Sequence, residues 1–110
     1  SEMCIRDRSD RDLKENITDI TNGLATINQL QGRTFTWKSS ANMQSGTKYG
    51  LIAQELEAVL PDLVINHTGI RQKEDGTFYK SVNTSGIIPV LIEAVKELSA
   101  KVTALESKLA

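Results

Sequence analysis

The length, composition and charge of this chain exclude several functions. Its 110 residues suit one small domain with a modest core, and 13 Lys and Arg stand against 14 Asp and Glu for a net charge of −1. This balance excludes a dedicated nucleic-acid surface, which needs clustered Lys and Arg, and no apolar run is long enough to span a bilayer.

Residues 1–8 (SEMCIRDR) differ in character from the rest of the chain. Met3–Arg8 is similar to a translated sequencing-library adapter, and the alternative is a genuine flexible tail. The segment lacks the apolar region of a secretory signal, so no such signal is expected. Cys4 is the single cysteine and cannot form an internal disulfide, which is compatible with a reducing cytoplasm.

The next residues place a hydroxyl and an amine close together in sequence. Ser9 and Lys14 are five positions apart, and a serine activated by a lysine is a known alternative to the Ser-His-Asp triad. The amine must be neutral to accept the serine proton, whereas free lysine has a pKa of about 10.4. Burial or the neighbouring Arg11 would favour a neutral amine, and nearby carboxylates would oppose it. The alternative is a charged, solvated segment without chemistry.

Short elements are predicted from residue 13 onward. The apolar residues between 13 and 20 have helical spacing, although an extended arm fits them equally well. A cap at Thr21 or Asn22, followed by a stop at Gly32, predicts a short helix.

A mixed α+β domain is predicted from the elements that follow. Phe35 and Trp37 would share one face of a strand, Pro61 would stop a helix, and Asp75-Gly76 is a strong hairpin-turn signal. In chain order we expect a strand at 34–37, a polar loop at 39–46, a helix at 54–60 and a hairpin that pairs 64–72 with 77–82.

A long helix is predicted to run from residue 85 to the end of the sequence. Asn83, Thr84 or Ser85 can cap it, and Pro89 lies near the first turn, where a missing N–H costs little. Apolar residues recur in alternating steps of three and four, which is a heptad repeat. The a positions are Ile88, Val95, Val102 and Leu109, and the d positions are Leu91, Leu98 and Leu105. So narrow an apolar seam needs a partner, unless the helix packs on its own domain.

The heptad register favours a parallel coiled coil. Lys101 at g can meet Glu106 at e of a neighbouring chain, an exposed pair contributing roughly 0.2–1 kcal/mol. Ile92 at e widens the seam and suits more than two strands, whereas β-branched a residues with Leu at d favour dimers. The residues alone therefore do not decide whether the coiled coil is a dimer or a trimer.

Three blocks of sequence carry a resemblance to a known family. They are residues 9–17 (SDRDLKENI), residues 49–64 (YGLIAQELEAVLPDLV), and residues 79–82 (YKSV) followed by 87–98 (IIPVLIEAVKEL). In this order they resemble the C-terminal intramolecular chaperone auto-processing domain of phage tailspikes, tail fibres and endosialidases, which also occurs in myelin regulatory factors. The resemblance covers nearly everything from Ser9 onward.

The resemblance implies a self-cleaving serine peptidase that acts once. Ser9 would attack the preceding carbonyl, so the bond cut is Arg8–Ser9, and Lys14 would be the general base. The resemblance also implies a homotrimer, attached to the upstream fibre or tailspike chain until cleavage releases it. Assembly and cleavage would take place in the host cytoplasm during virion assembly.

The predicted organisation is a tail at 1–8, a globular auto-processing part at 9–84 and a trimerisation helix at 85–110. No cofactor or metal is expected, because His67 is the single histidine and no second His or Cys accompanies it. Two rival functions remain, a non-catalytic trimerisation module that stays attached to its fibre and a cellular coiled-coil adaptor.

Overall fold

The computed structural model describes residues 8–66 and 72–109. Cys4, His67 and most of the predicted N-terminal tail lie outside these described residues, as does the part of the predicted hairpin's first strand that contains His67. The described part has three helices and four short strands, which confirms the mixed α+β class. In chain order they are α1 (Gly23–Ile27), β1 (Arg33–Phe35), β2 (Lys48–Gly50), α2 (Ala53–Glu57), β3 (Val64–Asn66), β4 (Lys80–Val82) and α3 (Ile87–Leu109).

The strands form two separate antiparallel hairpins. β1 pairs with β2 so that Thr34 lies opposite Tyr49, and β3 pairs with β4 so that Ile65 lies opposite Ser81. The second hairpin was predicted from its turn, and Gly76 does take a left-handed φ of 91° there. The pairing of β1 with β2 across a long loop was not predicted.

Several element boundaries differ from the sequence-based prediction. α1 ends at Ile27, well before Gly32, because the backbone hydrogen bonds that follow, from Gln29 to Thr26 and from Leu30 to Ile27, span three residues instead of four. α2 covers Ala53–Glu57, so it is shorter than the predicted helix at 54–60 and ends before Pro61 is reached. α3 begins at Ile87 rather than at residue 85, because a 3₁₀ turn at Thr84–Gly86 comes first.

The core lies where α2, the second hairpin and the first turn of α3 meet. Leu56 is 1% exposed and packs with the buried side chains of Val64 and Ile87. A shell of half-buried apolar side chains surrounds these three residues: Ile27, Leu30, Leu51, Ala53, Leu60, Leu63 and Val82. The core is small for a chain of this length, so its hydrophobic stabilisation is limited.

Two ion pairs connect α2 to one hairpin each. Arg33 on β1 donates to both carboxylate oxygens of Glu55, at 3.0 and 2.7 Å, and this hydrogen bonding holds the pKa of Glu55 below its ordinary value. Lys80 on β4 donates to Glu57 at 3.0 Å and to Asn66 at 2.6 Å. The two glutamates of α2 therefore serve different partners, as their spacing on a helix requires.

α3 packs against α1 along one narrow face. Its buried residues are Ile87, Val90 and Ala94, and Glu97 continues this face by accepting a hydrogen bond from the Leu24 N–H at 3.2 Å. The helix therefore does pack on its own domain. The face it uses lies roughly 80° around the helix from the heptad seam, at 100° per residue.

Candidate functional site

Ser9 and Lys14 are brought together by one tight turn. Arg11–Leu13 forms a single 3₁₀ turn, in which the Leu13 N–H bonds to the Asp10 carbonyl at 3.1 Å and the Lys14 N–H bonds to the Arg11 carbonyl at 3.0 Å. Asp10 caps this turn, since its Oδ1 accepts a hydrogen bond from the Asp12 N–H at 2.8 Å. The chain folds back on itself here instead of continuing as an extended strand.

The result is a direct contact between the two side chains singled out by the sequence. Lys14 Nζ donates a hydrogen bond to Ser9 Oγ at 2.6 Å. In this direction the amine is a donor, and a lysine that has lost its proton could instead accept the serine hydroxyl proton at the same separation. Ser9, Lys14 and Arg8 are all exposed, so the pair has the contact that nucleophile activation requires while water still surrounds it.

The segment that carries the pair is an extended arm. After the turn, no regular element forms until α1, and Leu13, Ile17 and Ile20 are 67%, 56% and 39% exposed. The sequence was compatible with either a helix or an extended arm in this segment, and the structure shows the extended arm. Its root, at Thr18–Thr21, lines an open groove of about 520 Å³ against Pro89, Ile92, Glu93 and Lys96 of α3.

The predicted heptad seam is an exposed apolar stripe. All seven of its side chains are exposed, from 42% for Leu91 to 87% for Leu109. Ile92 lies beside this seam and is also exposed, as are Lys101 and Glu106. Large apolar patches of this kind mark interaction surfaces in soluble domains.

A second concave surface lies between the two hairpins. It is an open groove of about 930 Å³, lined by aromatic and apolar side chains that include Phe35, Trp37, Met43 and Tyr79. The Phe35 and Trp37 rings meet edge to face at 5.2 Å, but β1 ends at Phe35, so Trp37 lies beyond the strand that was predicted at 34–37 to carry both. Ser9 and Lys14 do not line this groove.

Across residues 8–66 and 72–109, no group of three or more His, Cys, Asp or Glu side chains is arranged to hold a metal ion. None of the helices in the same ranges combines the length and the apolar character needed to cross a membrane.

Sequence reasoning missed the roles of two polar residues, Asp10 at the N-terminal turn and Glu97 on α3. The capping of the turn by Asp10 could have been inferred from its residue type, because Asp is a preferred N-cap. The role of Glu97 could not be predicted, because nothing in the sequence indicates that this residue of the heptad helix accepts a hydrogen bond from the Leu24 N–H.

Comparison with known proteins identifies the family of this chain. The family model described as "Chaperone of endosialidase" matches residues 9–65, beginning at Ser9. The chain therefore belongs to the chaperone of endosialidase family. This agrees with the resemblance carried by the three sequence blocks.

The relatives with curated descriptions are phage tail-fibre proteins. The chain is 38% identical over 105 residues to the long tail fiber protein Gp37 of Enterobacteria phage K3, covering 93% of this chain and 8% of that protein. It is 38% identical to Gp37 of Enterobacteria phage T2, covering 93% of this chain and 7% of the relative. A probable tail fiber protein of Escherichia phage Phieco32 is 30% identical over 93% of this chain and 14% of its own length. The chain thus spans less than a tenth of the first two relatives.

Proposed function

We propose that this chain is an intramolecular chaperone that trimerises a phage tail fibre or tailspike and then releases itself by serine-lysine autoproteolysis before Ser9. The observation that carries the proposal is the 2.6 Å contact between Lys14 Nζ and Ser9 Oγ at the start of the segment that matches a peptidase family. In the proposal, residues 9–84 carry the processing site and residues 85–110 the trimer interface.

The proposed reaction transfers an acyl group once and needs no cofactor. Lys14 in its neutral form takes the proton of Ser9 Oγ, and Oγ attacks the carbonyl carbon of Arg8. The C–N bond between Arg8 and Ser9 breaks, and the Ser9 nitrogen receives the proton from Lys14. Water then hydrolyses the ester, which leaves a carboxylate on Arg8 and restores the Ser9 hydroxyl.

Assembly supplies the condition under which this reaction begins. In one chain, Ser9 and Lys14 are both exposed to water. Withdrawing water disfavours the charged form of an amine. Association of three chains through the exposed seam of α3 would bring neighbouring surfaces close to each arm, whose root lies against the same helix. Cleavage then waits for the trimer.

The chaperone role follows from the problems of folding a long fibre. Fibres rich in non-local contacts fold slowly and expose sheet edges while doing so. A trimerising module holds three chains in register and raises their effective concentration. When the module is cut away in the host cytoplasm, the mature fibre has lost its aid to refolding, so its persistence depends on the rate of unfolding.

The test is expression of the chain with a carrier protein fused ahead of Ser1, followed by mass spectrometry of the products. We expect one cut, between Arg8 and Ser9. Ser9→Ala should abolish it, and so should Lys14→Arg, because a guanidinium keeps the charge but does not lose its proton. The matched control is Ser107→Ala, at an exposed position of α3, which should cut at the normal rate.

The same experiment separates the proposal from its rival. A trimer that remains joined to its carrier would support the non-catalytic module that stays attached to its fibre. Cutting at the same bond in Ser9→Ala would show that the nucleophile is misassigned.

A further inference from the structure

Asp10 caps the Arg11–Leu13 turn, which brings the Ser9 and Lys14 side chains together. An extended chain would separate Ser9 and Lys14 by roughly 17 Å, at about 3.4 Å per residue. The turn that prevents this has no buried residue and consists of only three positions. Turns of this size are unstable alone, because fixing the backbone costs more than the few hydrogen bonds return.

Within this turn, the Asp10 side chain makes a specific bond. Its Oδ1 accepts the Asp12 N–H at 2.8 Å, which is one of the donors left unsatisfied at the start of a helical turn. Asp10 is extended at φ −64° and ψ 136°, the backbone geometry of an N-cap. Its carboxylate is thus committed to the backbone of the turn.

We infer that Asp10 is a positioning residue for the proposed cleavage, and that it acts by capping the turn which holds Lys14 Nζ against Ser9 Oγ. The inference rests on the proposed function and adds a third residue to it. Asp10 touches neither reacting atom. It raises the fraction of chains in which the amine and hydroxyl are in contact, and the cleavage rate is proportional to that fraction.

A second role for the same carboxylate is distinguishable by experiment. As a negative charge beside the dyad, Asp10 would favour the protonated amine and thus slow the reaction. Capping and charge predict opposite results for Asp10→Asn, because asparagine keeps an acceptor oxygen that can cap a turn but has no charge. Alanine removes both properties.

The experiment measures first-order cleavage rates of the carrier fusion between pH 6 and pH 9. We expect Asp10→Ala to cut roughly tenfold more slowly at every pH, because a missing N-cap weakens a helical turn by about that factor. Asp10→Asn and Asp10→Ser should stay within about twofold of the unchanged chain, with the same pH midpoint. Asp12→Ala is the matched control, because it removes a carboxylate two residues away while leaving the Asp12 N–H in place.

Three results would overturn the inference. They are a normal rate in Asp10→Ala, a rate in Asp10→Asn as low as that in Asp10→Ala, and a displaced pH midpoint in Asp10→Asn. Sedimentation of each variant checks that the oligomeric state is unchanged. If the unchanged chain is not cut at all, the proposed function itself fails, whereas failure of this inference alone leaves the cut before Ser9 intact.

Discussion

Gly23 lies where the backbones of α1 and α3 approach each other closely. A Cβ placed there would lie 2.8 Å from the Ala94 nitrogen and 3.0 Å from the Val90 carbonyl oxygen. Both are backbone atoms of a long helix, which cannot move aside as a flexible side chain can. The absence of a side chain at residue 23 therefore permits the contact between the two helices.

We predict that Gly23→Ala destabilises the chain by about 1–3 kcal/mol, the usual cost of overpacking a tight contact. Urea denaturation measures the change in the free energy of unfolding. The matched control is Gly32→Ala, because a Cβ at Gly32 meets nothing within 4 Å. Equal stability of the two variants would show that the helices do not pack as closely as described.

Much of the candidate site was predictable residue by residue. The spacing of Ser9 and Lys14, together with the family resemblance, indicated the pair, and the structure places the two side chains in hydrogen-bonding contact. The exposure of both residues could not be predicted, because it depends on whether the arm packs against the body. The partners of Glu55 and Glu57 were equally hidden, since each lies more than 20 positions away in sequence.

At the scale of elements, α3 is amphipathic on two neighbouring faces. Ile87, Val90 and Ala94 face the body, and the heptad seam faces outward. Periodicity predicted the seam correctly as a continuous stripe, because a and d residues must share one face of a helix. It did not reveal the second face, because this face has only three buried residues, Ile87, Val90 and Ala94, and continues with the charged Glu97.

We predict that Leu98→Asp abolishes the association of chains. Leu98 is 50% exposed in the single chain, so the substitution costs little folding free energy there. In a coiled coil it would bury one unpaired carboxylate from each chain. Sedimentation velocity should show a trimer for the unchanged chain and a monomer for the variant.

The control for this prediction introduces the same residue on the opposite side of the same helix. Ala100 is exposed and lies outside both faces, so Ala100→Asp should remain trimeric. If Leu98→Asp associates as tightly as Ala100→Asp, the seam is not the interface.

The whole molecule is extended for its length. Its radius of gyration is 18.3 Å, whereas a compact domain of this size has about 13 Å. The C-terminal part of α3 and the arm both carry exposed apolar side chains. The sequence predicted a long helix with a partner and the second hairpin, but the pairing of β1 with β2 depends on long-range contacts that local patterns do not encode.

We predict that the thermal stability of the chain rises with its concentration. A trimer that unfolds to single chains is stabilised by mass action, so the melting temperature should increase by several degrees over about a hundredfold range of concentration. Circular dichroism at 222 nm follows the loss of helix. A melting temperature that stays constant over this range would indicate that the chain folds as a monomer.

The root of the arm at Thr18–Thr21 lies beside Pro89, Ile92 and Lys96, near the start of α3. In a parallel trimer, helices in register set these roots at one height around the threefold axis. The three Ser9 hydroxyls would then lie at the same height along the axis. The three proposed cuts before Ser9 would leave fibre chains whose new ends also lie at one height.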